Sequence, residues 1–114
     1  MTDHITIRKA PGVWSVRSGG AVLGETSNAL ELSEPGRDPV IYFPRSDIAM
    51  AFLDQTDHLT ECSKKGTATH FSIVNKSATV KNVAWSYDSP SDAAAQIAGH
   101  LAFHQRDGVT VEQL

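Results

Sequence analysis

The 114-residue chain carries 10 Lys+Arg against 13 Asp+Glu, five histidines and one cysteine, and 40% of it is hydrophobic. That length suits one domain, residues 1–114, that buries about two-thirds of its surface, and a lone cysteine excludes an internal disulfide or a cysteine-rich structural zinc. A net charge of −3 leaves no footprint for nucleic acid or an anionic membrane; no apolar run reaches the ~20 residues of a bilayer span and no secretory h-region opens the chain, so a compact cytoplasmic domain is expected.

Short strands separated by turn signals dominate the pattern. His4 to Lys9 alternates around Ile5 and Ile7 until Pro11-Gly12 breaks it. Val13 to Arg17 alternates again, and Ser18-Gly19-Gly20 before Ala21-Val22-Leu23 predicts a hairpin with a glycine turn. Ala29 to Leu32 forms a further strand, closed by Glu34-Pro35-Gly36. Val40-Ile41-Tyr42-Phe43, set between Pro39 and Pro44, is a β-branched and aromatic run suited to burial on both faces.

From Arg45 to Leu53 good helix formers predominate, with Ser46 or Asp47 as cap, and one or two helical turns are predicted. Asp54 to Gly66 is polar and reads as a loop long enough to carry function, with Asp57 ordering it through an Asx-type turn. Strands follow at Thr69 to Val74 and Thr79 to Tyr87, joined by Asn75-Lys76-Ser77. A short helix starts near Pro90 under a Ser89 or Ser91 cap and stops at Gly99. His100 to His104 and Val109 to Val111 close the chain as strands around an Arg106-Asp107-Gly108 turn. The fold class is mainly antiparallel β with one or two short helices.

Cys62, with Lys64 and Lys65 close by, is a candidate thiolate nucleophile, because adjacent cations lower a thiol pKa. Its ordinary alternative is a small buried hydrophobe. Gly66 lets backbone amides turn toward an anion, and Arg45 adds a planar cation suited to carboxylate or phosphate. Trp85 and Tyr87, two apart, share one strand face, whereas the neighbours Tyr42 and Phe43 take opposite faces. Packing in the core accounts for these aromatics as well as a lined pocket does. His58-x-x-x-Cys62 and His100-x-x-x-His104 match metal spacing only on a helix; on a strand the second pair lies roughly 13 Å apart. No metal and no cofactor are expected.

Four segments carry a resemblance to a known family. Val40 to Ile48 (VIYFPRSDI) resembles its "YYFPREDV" stretch, and Cys62 to Ala68 resembles its "C-P-x-K-G-x-A" loop. Asn82 to Pro90 resembles "AAWSYPDP", and Ile97 to Phe103 resembles "IAGYVAF". The family is catalogued as domain of unknown function 427, and the similarity runs from about Val13 to Val111. It implies small antiparallel tent-like or barrel-like sheets, similar to the β-tent proteins, among them methionine sulfoxide reductase B and the ligand-binding domain of cereblon; a nucleotidyltransferase-like label is sometimes attached to it. β-tent relatives often hold zinc with paired cysteines, which this chain does not have. Ser63 stands where the family usually has proline, Lys64 where it tends to an aromatic, and His100 where tyrosine is common. A pocket lined by those positions is more cationic here than usual.

The functional expectation is a small-molecule binding domain for an anionic ligand with an aromatic or apolar part. Tyr42, Arg45, Cys62, Lys65, Gly66, Trp85 and Tyr87 would form its site, with Arg45 and Lys65 on the anion and Trp85 stacking. The alternatives are an enzyme in the same pocket, using Cys62 as a thiol or transferring a nucleotidyl or phosphoryl group, and a protein-interaction domain using open strand edges.

Overall fold

The structure is a computed structural model that describes residues 4–75 and 78–114. The chain forms strands β1 (Thr6–Lys9), β2 (Trp14–Ser18), β3 (Ala21–Thr26), β4 (Leu30–Ser33) and β5 (Val40–Tyr42). They are followed by β6 (Leu53–Cys62), β7 (Gly66–Val74), β8 (Thr79–Ser86), β9 (Ala102–Phe103) and β10 (Val109–Gln113). These make three antiparallel sheets, ordered β1-β4-β5, β10-β2-β3 and β6-β7-β8-β9. The mainly β class read from the alternation is what the chain adopts. No helix among the described residues is long and apolar enough to cross a membrane.

Two isolated bridges tie the sheets together. Phe43 and Leu101 exchange backbone hydrogen bonds of 2.8 and 2.9 Å, joining the end of β5 to the start of β9. Gly24 pairs with Ile48, so β3 meets the segment after β5. A Cβ at Gly24 would lie 2.5 Å from the Asp47 carbonyl oxygen, so the close approach demands glycine.

The polar segment predicted as a loop is instead strand β6, paired with β7 from Leu53↔Ile73 to Cys62↔Gly66. It is the edge of its sheet, and only Leu53 along it is buried. A strand exposed on both faces needs no apolar alternation, and the register shift between Gln55 and Leu59 erases what periodicity there was. Asp57 therefore lies on this strand; the turn-like bond nearby runs from the His58 amide to Thr56 Oγ1 at 3.3 Å.

The predicted helices are short 3-10 turns at Arg45–Asp47, Met50–Phe52 and Asp92–Ile97. None has a side-chain cap. Asp47 lies inside the first turn, with Pro44 at its cap. Ser91 occupies the cap of the third, yet its hydroxyl donates to the Lys64 carbonyl at 2.6 Å. Among the predicted strands, His100 to His104 shrinks to Ala102–Phe103. The connection read at Asn75-Lys76-Ser77 includes Lys76 and Ser77, which lie outside the described residues.

Two apolar clusters fill the space between the sheets. Val16, Phe43, Phe71, Ile73, Val83, Leu101 and Val109 belong to the larger one. Leu32, Tyr42, Ala68, Tyr87, Ala94, Ile97 and Ala102 form the second, with Trp85, Val40 and Cys62 packed against it. The period-2 rule sorts the aromatics between them: Phe43 enters the first cluster, and Tyr42, Trp85 and Tyr87 gather at the second.

Candidate ligand-binding cleft

β7, β8 and β9 are held in a register that sets His70 opposite Trp85 and Trp85 opposite Ala102. Residues directly opposite point the same way. His70 and Trp85 therefore share a face, and Tyr87, two residues beyond Trp85, continues it. From the neighbouring sheet, β5 brings Tyr42, whose hydroxyl accepts a 3.2 Å hydrogen bond from Trp85 Nε1. The two rings meet edge-on, with centroids 6.5 Å apart. His104, just past β9, lies over Trp85 at 4.5 Å between centroids.

These side chains wall a cleft of about 520 Å³. Leu32 and Glu34 of the β4 end, Arg37 and Asp38 of the turn beyond, and Val40 and Tyr42 of β5 line one side. Thr60, Lys65, His70, Trp85, Tyr87 and His104 line the other.

An ion pair sits in this lining. Lys65 Nζ donates to Glu34 Oε1 at 2.5 Å, and the two side chains are only 9% and 7% exposed. Burial pushes the Glu34 carboxyl up, but the Lys65 hydrogen bond and the charges of Lys65, Arg37 and Lys64 outweigh it and hold the group below its ordinary range. Burial likewise disfavours the Lys65 ammonium, and Glu34 overrides it, so Lys65 stays protonated well above neutrality. Burial also raises both phenols, so Tyr42 and Tyr87 are neutral hydrogen-bonding groups at pH 7.

The two imidazoles move the other way. Burial pushes His70 below its ordinary value, against the hydrogen bond from its Nδ1 to the His58 carbonyl at 3.1 Å. A bond to a carbonyl places the proton of neutral His70 on Nδ1. Burial and the charge of Arg106 lower His104 as well.

Four of the seven residues singled out from sequence, Tyr42, Lys65, Trp85 and Tyr87, line the cleft. Arg45 stands elsewhere. Its Nε donates to the Gly99 carbonyl at 3.1 Å, and its Nη2 reaches Ser86 Oγ and Asp88 Oδ1 at 3.2 Å each. Its guanidinium also lies 5.4 Å from the centre of the Phe71 ring. Arg45 thus clamps the β8 end to the segment before β9.

Cys62 and Gly66 flank the β6–β7 turn, in a separate open concavity with Glu61, Ser63 and Thr67. Gly66 has φ +110°, a backbone that other residues rarely adopt, so it shapes the turn that carries Lys65. The Cys62 thiol is half-buried. Burial raises its pKa, but amide donors of Lys64 and Lys65 and the Lys65 charge bring it below the ordinary thiol value.

Glu34, Arg37 and His70 also line the cleft and lie outside the residues that the sequence proposes for it, as does His104, which enters there only as half of a metal-spaced pair. Glu34 has a trace in the sequence: it continues the phase of Leu30 and Leu32, so it points inward beyond the strand end. His70 had none, because its pairing with Trp85 follows from a register altered by a shift between Phe71 and Ile73. Among the described residues no group of three or more His, Cys, Asp and Glu is placed to hold a metal ion.

A family model described as Domain of unknown function (DUF427) matches residues 6–113. No curated protein matches the chain.

Proposed function

The chain belongs to the DUF427 family, and from that premise we propose that the cleft around Trp85 binds a small molecule with an anionic group and an aromatic or apolar part. The observation that carries the reading is the buried Lys65–Glu34 pair in a cleft walled by Tyr42, Trp85 and Tyr87. An ion pair taken out of water is a poor device for stability compared with apolar packing, and this one opens onto a cavity rather than filling a core. Lys65 donates to Glu34 and also reaches the Cys62 thiol, which leaves the third N–H of its ammonium for a ligand. Arg37, whose guanidinium makes no hydrogen bond or ion pair among the described residues, supplies a second cation on the turn after β4.

Trp85 gives the ligand's flat or apolar part a large surface, and the phenols of Tyr42 and Tyr87 orient its polar atoms. A thermal-shift screen of small carboxylates and phosphates tests the reading. A stabilising hit that vanishes in Trp85→Ala and weakens in Arg37→Ala supports it; a screen without hits counts against it. The free cysteine suits a reducing compartment, and we place the protein in the cytoplasm on that ground.

A second reading, thiol chemistry at Cys62, is favoured by the lowered pKa of that side chain. It would use the concavity beside the β6–β7 turn, coupled to the cleft through Lys65.

A further inference from the structure

A second cavity adjoins the first. It measures about 290 Å³ and lies where the three sheets meet, with Trp14 and Val111 from one sheet, Ile41 from another and Phe103 from the third. Val40 and Trp85 line both cavities, so they form a shared partition. Chain neighbours straddle it: Asp38 and His104 face the first cavity, Pro39 and Gln105 the second.

The two spaces differ in what they ask of a ligand. In the second, one oxygen of each polar side chain is engaged within the protein. Glu31 accepts from Arg8 Nε at 3.0 Å, and Gln105 Oε1 accepts from the Val111 amide at 3.1 Å. What remains there is the apolar and aromatic surface of Trp14, Ile41, Phe103 and Val111, beside Gln105 Nε2 and the second carboxylate oxygen of Glu31. The first space keeps Arg37 and one N–H of Lys65, with the carboxylates of Glu34 and Asp38 in the same lining.

We propose that the two cavities form one bipartite site for a carboxylate with a single linear apolar chain, the head beside Arg37 and Lys65 and the chain crossing the Trp85–Val40 partition into the seam. The proposal rests on the cleft reading above and specifies its ligand class.

The chain's two tryptophans make it testable. Trp85 borders both cavities and Trp14 only the second. Their indole N–H groups donate to Tyr42 Oη and the Pro11 carbonyl and are separate reporters in a nitrogen-15 spectrum. Titration with butanoate should move Trp85 alone, whereas octanoate should move both. Affinity should rise about threefold to fourfold per added methylene until the seam is filled. Octan-1-ol should bind at least about tenfold more weakly than octanoate, since it has no charge for Arg37 and Lys65. Val111→Phe, which narrows the seam, should abolish the gain with chain length and leave butanoate binding intact.

If octanoate moves Trp85 but not Trp14, the cleft reading stands and the bipartite site falls. Octan-1-ol binding as tightly as octanoate overturns it too, as does a Trp14 shift that tracks protein concentration, which would assign the seam to a second copy of the chain. If no carboxylate moves Trp85, both readings fall.

Discussion

Lys65 Nζ and Glu34 Oε1 lie 2.5 Å apart with both side chains nearly out of water, so the β6–β7 turn is pinned to the end of β4 by a buried ion pair. The pair joins two sheets and lines the cleft at once. Removing Glu34 strands the Lys65 charge, and removing Lys65 leaves Glu34 to the more exposed Lys64, 3.9 Å away; breaking a buried pair typically costs about 3–5 kcal/mol. Glu34→Gln and Lys65→Met should each lose an amount of that order in urea denaturation. The double variant should recover most of it, since neither charge is then left alone. Additive losses would show that the two side chains act separately.

Arg45 should prove structural. Its contact with Asp88 is half in solvent and worth little by itself, but its bonds to Gly99 and Ser86 span separate segments. Arg45→Ala should cost about 1–3 kcal/mol in denaturation and leave the affinity of any cleft ligand within a factor of two or so. A loss of binding in a folded Arg45→Ala protein would return this residue to the site.

Cys62 should alkylate at a lower pH than free cysteine. Its thiolate is favoured by the Lys64 and Lys65 amides together with the Lys65 charge, against the opposing effect of burial. In iodoacetamide rate profiles, Lys65→Met should shift the midpoint upward, with circular dichroism confirming that the variant is folded. Reaction only after unfolding would remove Cys62 from consideration as a reactive thiol.

Acid should weaken the fold through the two cleft histidines. Both are lowered in the folded state, His70 by burial and by the nearby His58, His104 by burial and by Arg106. The unfolded chain therefore binds more protons just below pH 6.5, so stability rises with pH there and falls as pH drops toward the folded-state values. Thermal melts between pH 7 and 5 should decline, and His70→Gln with His104→Gln should flatten that slope. The same protonation adds positive charge to the cleft, so a carboxylate should bind more tightly near pH 5.5 than at pH 7.5.

How far the sequence reached depended on whether a feature was local. The split of Tyr42 from Phe43 and the shared face of Trp85 and Tyr87 follow from the strand period alone, and the structure has both. β6 looks like a loop in the sequence because an edge strand carries no hydrophobic alternation, and its register shift breaks the little that remains. The partners of Arg45 and Lys65 lay beyond reach for another reason. Asp88 is 43 positions from Arg45 and Glu34 is 31 positions from Lys65, joined only by the way the sheets fold together. Two cations that the sequence assigns to one anion site thus go to different places: Lys65 to the cleft, Arg45 to a clamp on the β8 end.

The central claim, that the Trp85 cleft is a small-molecule site, is tested most directly by nitrogen-15 spectra of the intact chain titrated with a library of small carboxylates and phosphates. Shifts should concentrate on the Trp85 indole, Lys65, Arg37 and His104, saturate with concentration, and disappear in Trp85→Ala. A library that leaves the Trp85 indole unmoved, or that perturbs only the surroundings of Arg45 or Cys62, would contradict the account.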